Sequence, residues 1–466
     1  MKFKPPLHVA KQADVEAMGF TFTPEDQRPA KAVQKMAEMR DKMRSLMVML
    51  ETCTKCGNCA KQCHSYLGTE DFYNFPAARA ELFRRVYKRY FTWSGKIFGR
   101  FVGAEDFNED TLAKWTTYFY QCNECRRCAR FCPFGIDTAE ITIIARHILT
   151  EIGLIPKFMQ GVDINLIKTG NNMMIPKPAV IDSAEFMEEE IREETGVDVK
   201  IPIDKPNSDV LYIPSSADFF SNIDTTIGAA KMFHVLGTNW TIPSSVLEAG
   251  NFGLLSNFRI MQQHNDRLKT AARELGASLV LQGECGHGWR AARMYTNGLS
   301  GPIPFQLRHI LEYCDEHLAE LPLKKLPMRV TLHDPCNYVR AGGIVEQPRR
   351  ILRACVEEFV ELTPNREDTF CCGGGSGILM DEMYDIRMKL GWKKAEQVRA
   401  VGDIDYLAMP CSICKAQLPT VMKHYGLVNF EMGGVMDIVG KALVLKKKET
   451  GEQGVISKQN SVQLER

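Results

Sequence analysis

Two cysteine runs constrain this chain more than any other feature. "CTKCGNCAKQC" supplies Cys53, Cys56, Cys59 and Cys63, and "CNECRRCARFCP" supplies Cys122, Cys125, Cys128 and Cys132. A loop carrying a thiol at every third residue wraps three corners of an iron–sulfur cubane, and the fourth corner needs a thiol from elsewhere. The chain has 16 cysteines, and most of those outside the two runs fall in tight groups near the C-terminus. Disulfide frameworks are usually short and spread their cysteines, whereas tight CxxC groups in a long chain favour metal binding. Zinc is the competing ligand, since eight thiols could close two four-ligand sites. Two copies of one four-cysteine spacing favour iron–sulfur clusters.

That spacing is the one used by bacterial two-cluster ferredoxins, in which three cysteines hold one cubane and the fourth reaches across to the other. The expected pairing is therefore Cys53, Cys56, Cys59 and Cys132 on one [4Fe–4S] cubane, and Cys122, Cys125, Cys128 and Cys63 on a second. The second run ends in Pro133, as such runs usually do, but the first has His64 at that place.

With 466 residues the chain suggests two or three domains. A net charge of +1 gives no global field for nucleic acid. The N-terminus has no apolar export region, and no stretch approaches the roughly 20 apolar residues of a transmembrane helix. A reduced, cytoplasmic protein with no membrane span of its own is expected, and a membrane partner remains compatible. Val33, Met36, Met43, Met47 and Leu50 predict one amphipathic helix over 30–50. The aromatic, basic stretch "FRRVYKRYFTWSGKIFGRF" reads as a solvated helix over the clusters or as a docking face for a membrane subunit. Residues 1–155 then form a helical two-cluster domain, 156–208 a proline- and acid-rich linker with a short helix, and 446–466 a tail.

From about 209 the texture changes to short β-branched runs ("DVLYIP", "SLVLQ", "MRVTLH", "DYLAMP") alternating with helical patterns, which predicts parallel α/β structure. It also repeats, giving two units, 209–325 and 326–445. The repeat sets Ser215 against Cys336, Ser244 and Ser245 against Cys371 and Cys372, and Cys285 against Cys411. Cys336, Cys371, Cys372, Cys411 and Cys414 each follow a candidate strand or sit at a glycine-rich turn. Loops at the carboxyl ends of parallel strands converge on one crevice, so the five thiols can meet there. Five thiolates exceed what one zinc uses, and the adjacent pair suits a polynuclear cluster in which neighbours bind different irons. Glycines 373–375 let the backbone approach closely. "GGGSG" lacks the Lys-Ser/Thr of a phosphate loop, and a dithiol switch at "CSIC" leaves three cysteines unexplained.

These motifs resemble the CCG-domain proteins of the heterodisulfide reductase type. The chain is most similar to the DsrK-type (HmeD-type) iron–sulfur subunits of the membrane redox complex DsrMKJOP, associated with dissimilatory sulfite reduction. "HSYLGTEDFYNFPAARAELFRRVYKRY" adds to the likeness. The resemblance implies a multidomain α+β architecture, with an α-helical ferredoxin-like two-cluster domain followed by two pseudo-repeated α/β CCG units. It implies a non-cubane [4Fe–4S] cluster at Cys336, Cys371, Cys372, Cys411 and Cys414, which cleaves disulfides by single-electron steps. It further implies a haem b membrane subunit that takes electrons from quinol, and a disulfide or trisulfide of the small sulfur carrier DsrC as substrate. The protein would then sit on the cytoplasmic face of the inner membrane through its partners. With serines at three thiol positions of the first copy, a second non-cubane centre is not expected.

Cys285, first of the lost CxxC in "GECGHGWR", is a candidate extra ligand or exchanging thiol, or else a buried inert cysteine. His287 and His333 are candidate proton donors to a departing thiolate, or structural hydrogen-bonders. Cys314 and Cys355 lie in helical patterns and read as core. Two rival functions stand beside the reductase: a relay subunit that only passes electrons, and the CCG subunit of a hydroxy-acid oxidase complex. Nothing in the chain resembles a flavin or nicotinamide fold.

Overall fold

In the computed structural model the chain is described over residues 7–446. All but the first residue of the expected tail lies outside the described residues. The N-terminal part is helical. Helices Arg28–Lys42, Arg44–Thr52, Pro76–Phe91, Glu109–Tyr118 and Thr138–Glu151 pack around Phe83, Trp115, Ile144 and Ile148. The segment 30–50 is two helices and not one, because Met43 leaves the helical region (φ −120°, ψ 85°). The buried face consequently changes register at the break, from Met36 and Met39 to Leu46, Met49 and Leu50. Val33, Met43 and Met47 are only half-buried.

Two four-stranded parallel sheets follow. The first contains β1 (Val210–Ile213), β2 (Trp240–Thr241), β3 (Leu279–Gln282) and β4 (Gln306–His309), in the order β2-β1-β3-β4. The second contains β5 (Leu326–Leu332), β6 (Val356–Val360), β7 (Tyr406–Ala408) and β8 (Glu431–Gly433), in the order β6-β5-β7-β8. Strand order and direction are the same in both, as a duplicated unit requires. The central strands are buried because helices cover both faces.

One apolar cluster runs through both units, including Tyr212, Phe233, Leu332, Tyr406 and Met436, together with Cys314 and Cys355. The units meet where helix Asp224–Leu236 crosses helix Val435–Ala442. Gly228 makes the crossing possible, since a Cβ there would lie 2.0 Å from the Met436 carbonyl oxygen.

Two expectations need correction. Residues 156–208 are not a linker with a short helix; they carry helices Lys157–Thr169 and Lys177–Thr195, of 13 and 19 residues. Pro156 and Pro176 stand at their N-caps and Pro178 in the first turn, where a missing N–H breaks no helical bond, so these prolines start helices. Val180, Ala184, Met187 and Ile191 then bury one face in the α/β core. The pairing of Ser244 and Ser245 with Cys371 and Cys372 also fails in space. Ser244 follows β2 almost at once and gives its N–H and hydroxyl to Asp204, whereas the whole of 361–370 separates β6 from Cys371.

Candidate metal centres

Both N-terminal runs curl in the same way. Lys55 and Gly57 have φ of 57° and 81°, and Glu124 and Arg126, at the same places in the second run, have 51° and 61°. Non-glycine residues rarely adopt this region, and the strain persists only where surroundings over-determine it. The alternation turns each loop back on itself so that its thiols face one side. Cys53, Cys56, Cys59 and Cys132 line one cavity with Pro133 and Phe134, and Cys63, Cys122 and Cys125 line a second; Cys128 borders both. Each run's fourth cysteine is thus beside the other run's first three. Cys56 is exposed, while burial pushes the Cys59 and Cys63 thiols up to about 11. Buried thiols held this high are poor partners for water and good ones for iron, which replaces the proton.

The second loop is stitched to the glycine-rich loop of the second α/β unit. Buried Arg146 donates to the carbonyls of Cys122 (2.9 Å) and Ser376 (2.8 Å), and its Nη1 lies 2.8 Å from the buried Glu124 carboxylate. Arg340 donates to the carbonyls of Cys125 (2.7 Å) and Glu367 (2.8 Å), and also to that of Thr369. Arg127 lies over the Phe370 ring, 4.1 Å from its centroid. Asn123 donates to the Gly375 carbonyl (2.9 Å) and pairs at 2.7 Å with His64, the residue that replaces proline in the first run. The other ring nitrogen of His64 is 3.9 Å from the Cys125 sulfur, and His64, Cys125 and Cys371 present their ligand atoms within 4.8 Å of one another.

The five C-terminal thiols do meet. Cys336 and Cys371 sulfurs are 4.0 Å apart, and Cys371, Cys372, Cys414 and Cys411 continue the chain of sulfur contacts. All five are buried. Cys411 caps helix Ser412–His424 and Cys414 lies in its first turn; the Cys414 sulfhydryl lowers Cys411, while contact with Cys372 and Cys411 holds Cys414 well above the usual thiol range. Neighbouring sulfhydryls at Cys371 and Cys414 hold Cys372 well below the usual thiol range.

Two fully buried imidazoles border this cluster. His333 Nε2 is 3.2 Å from the Cys414 sulfur, and its Nδ1 has no partner among the described residues. Neither ring nitrogen of His287 has one. Burial lowers them to about 3 and about 4, so both rings are neutral. Unsatisfied buried polar atoms are costly and mark a place where a further group belongs. A sulfur-rich, buried, donor-lined cleft of this kind fits an iron–sulfur cluster better than a single ion.

Sequence reasoning missed Lys394. It is wholly buried on helix Tyr384–Val401, its only described hydrogen bond goes to Thr369 Oγ1 (3.0 Å), and burial lowers it to about 8 despite the nearby Cys371 and Cys414. A lysine on the inner face of a helix was the available signal.

Cys285 occupies the place in the first unit that Cys411 has in the second. Each caps the helix after the third strand of its sheet, and the two caps touch. Gly286 N–H points at the Cys411 sulfur (3.3 Å), and Ser412 N–H donates to the Glu284 carbonyl (2.8 Å). Cys285 is buried, and its thiol is raised by burial and by Cys411. Behind it Lys415 is held by Asp218 (2.7 Å) and Glu284 (3.2 Å), and Ser215 meets Ser412 at 2.7 Å.

Residues 49–136 match the 4Fe-4S dicluster domain family, and residues 330–419 match the cysteine-rich CCG domain family. Hdr-like menaquinol oxidoreductase iron-sulfur subunit 2 of Archaeoglobus fulgidus is 34% identical over 464 residues, which covers 89% of this chain and 83% of the relative. Hdr-like menaquinol oxidoreductase iron-sulfur subunit of Archaeoglobus profundus is 34% identical over 459 residues, covering 88% of this chain and 82% of the relative. One polypeptide of the dihydromethanophenazine:CoB–CoM heterodisulfide reductase of Methanosarcina mazei is 25% identical, covering 86% of this chain and 96% of that one.

Proposed function

The chain belongs to the heterodisulfide reductase-like iron–sulfur subunits, and from that premise we propose that it is the disulfide-reducing subunit of a membrane-associated quinol-linked complex. It is an oxidoreductase subunit whose cofactors are 4Fe–4S clusters. In our reading Cys53, Cys56, Cys59 and Cys132 hold one cubane, Cys63, Cys122, Cys125 and Cys128 a second, and Cys336, Cys371, Cys372, Cys411 and Cys414 a non-cubane cluster. The observation that carries the reading is the contact between Cys125 and Cys371, which joins the second run to the CCG thiols without intervening protein. When bound, the clusters supply electrons one at a time.

The chain's own groups do the remaining work. Cys56, at the exposed end, is in this reading the side on which electrons are exchanged with a partner, and the thiols from there to Cys371 form one continuous path. Arg127, Arg146 and Arg340 fix the two loops and offset the negative charge of the thiolates. Reductive cleavage of a disulfide consumes two electrons and two protons and yields two thiols. In this reading His333, against Cys414, and His287 act as neutral N–H hydrogen-bond donors to a departing thiolate, and the two protons taken up come from water. Cys285, next to Cys411, is in this reading an extra ligand of the cluster or a thiol that exchanges with a guest sulfur once iron or substrate displaces its proton. Similarity to a menaquinol oxidoreductase protein supports quinol, through a haem b membrane subunit, as the electron source. Among the described residues no helix is long and apolar enough to cross a membrane, consistent with attachment through partners at the cytoplasmic face. The sulfur carrier DsrC, as disulfide or trisulfide, is the substrate we propose, in sulfite-reducing metabolism.

The test is iron counting and paramagnetic resonance on anaerobically purified protein. About twelve irons per chain are expected, together with a new signal when the carrier's cysteinyl segment is added to the oxidised protein. That signal should vanish in Cys372→Ala. A signal indifferent to added thiol would leave an electron relay in place of a reductase.

A further inference from the structure

We propose that the tip formed by residues 93–102 is an interfacial anchor that inserts directly into an anionic lipid surface. Helix Pro76–Phe91 ends at Thr92, and a short helix, Trp93–Phe98, and a 3₁₀ turn, Gly99–Val102, follow. The apolar residues of this excursion point outward: Trp93 is 70% exposed, Ile97 68% and Phe101 98%, with Phe98 also exposed. Trp93 and Phe98 rings stand 6.0 Å apart, edge to face, so they form one patch. Contiguous exposed aromatics of this kind mark an interaction surface.

Charge selects the occupant. Lys96 and Arg100 are exposed within the patch, and no acidic residue occurs between 82 and 104. The carboxylates at the base, Glu105 and Asp106, are engaged by Arg85 and Arg89, whereas Lys96 and Arg100 have no ion pair among the described residues. Trp and Phe interleaved with unpaired Lys and Arg is the composition that sits at a headgroup boundary, with rings in the acyl region and cations on the phosphates.

The tip is also braced for such a role. Lys88 Nζ donates to the Val102 carbonyl (3.2 Å), Ala104 N–H to that of Gly99 (3.1 Å), and Thr92 caps the short helix. A preorganised tip loses little conformational entropy on insertion. The proposal concerns this surface alone and is independent of the redox reaction assigned above.

The experiment is co-sedimentation of the full-length, cluster-loaded protein with vesicles of phosphatidylglycerol and phosphatidylcholine, and with phosphatidylcholine alone. Binding is expected to the anionic vesicles and to weaken as salt rises. Phe98→Ser/Phe101→Ser should weaken it at least about tenfold, and Lys96→Ala/Arg100→Ala by roughly fivefold per charge removed. These side chains are exposed, so iron content should be unchanged in both variants. Absence of binding to anionic vesicles would overturn the proposal and leave a membrane protein as the tip's partner. Equal binding by wild type and the phenylalanine variant would overturn it too, by assigning the lipid contact to another surface.

Discussion

Replacing Arg146 by Met removes the guanidinium that ties the second cysteine run to the CCG loop, and the structure sets the size of the effect. Arg146 is wholly buried and donates to three carbonyls, those of Phe119, Cys122 and Ser376, while facing Glu124 at 2.8 Å. Burial already raises Glu124 to about 7 with Arg146 present. Without the arginine the carboxyl takes up a proton and stays neutral, so the main loss is two buried acceptors without donors, those of Cys122 and Ser376, since the Phe119 carbonyl keeps the Cys122 N–H (3.4 Å). At about 1–3 kcal/mol per unsatisfied group, and with breaking a buried ion pair put at about 3–5 kcal/mol, a net cost of roughly 3 kcal/mol is a conservative figure. The damage is local: the two loops separate while both cores stay packed. Local opening exposes the second cluster, so the assay is release of iron to a chelator under anaerobic conditions. A cost of about 3 kcal/mol multiplies the open population, and the rate of release, about 100-fold. Arg146→Met/Glu124→Gln should recover part of this, because an amide tolerates the site as a neutral group. A release rate within threefold of wild type in Arg146→Met would refute the claim that this residue holds the loops together.

Three further outcomes follow from the geometry. Cys336→Ala should lower iron by about four per chain and leave the resonance signals of the N-terminal clusters intact; loss of those signals as well would show that the centres are not separately housed. Gly228→Ala forces a Cβ against the Met436 carbonyl and should cost about 1–3 kcal/mol, read as a lowered calorimetric midpoint for the α/β region. His264, buried and paired with the Glu248 carbonyl at 2.9 Å, is depressed by burial to about 4. The unfolded chain therefore binds the extra proton first as pH falls below about 6.5, and stability present above that value is lost on acidification. The loss between pH 7 and pH 5 is about 2 kcal/mol from this residue, and His264→Gln should flatten the denaturation midpoint over that range by a corresponding amount.

What could be read from the sequence was what neighbouring residues decide among themselves. The eight N-terminal cysteines carry their geometry in their spacing, because a thiol at every third position determines how the loop must curl. The parallel strands were legible as short apolar runs at "DVLYIP" and "DYLAMP", since full burial leaves no polar alternation to confuse them. The positions of Arg146 and Arg340 were not legible. Each is a charged side chain with ordinary sequence neighbours whose partners lie far along the chain, and only the folded arrangement shows it to be buried. The prolines of 156–208 misled for a related reason. Proline at a helix start and proline in a linker look alike until the following apolar spacing finds a surface, and here that surface is the core of the α/β units.

The first α/β unit keeps one thiol, Cys285, at the positions that carry five in the second, and the contacts explain what it contributes. Two helix N-termini from equivalent positions abut, one capped by Cys285 and the other by Cys411. Gly286 can bring its N–H to the Cys411 sulfur because a Cβ there would lie 3.3 Å from that sulfur and 3.4 Å from Asn337. The same junction buries Lys415 between Asp218 and Glu284, with Ser215 joined to Ser412. One ammonium among these carboxylates holds the two sheets in register, since removing either partner would leave an uncompensated buried charge. What the first unit offers the second at this junction is the Gly286 N–H on the Cys411 sulfur and the Glu284 carbonyl on the Ser412 N–H, a backbone contact that needs no thiols of its own.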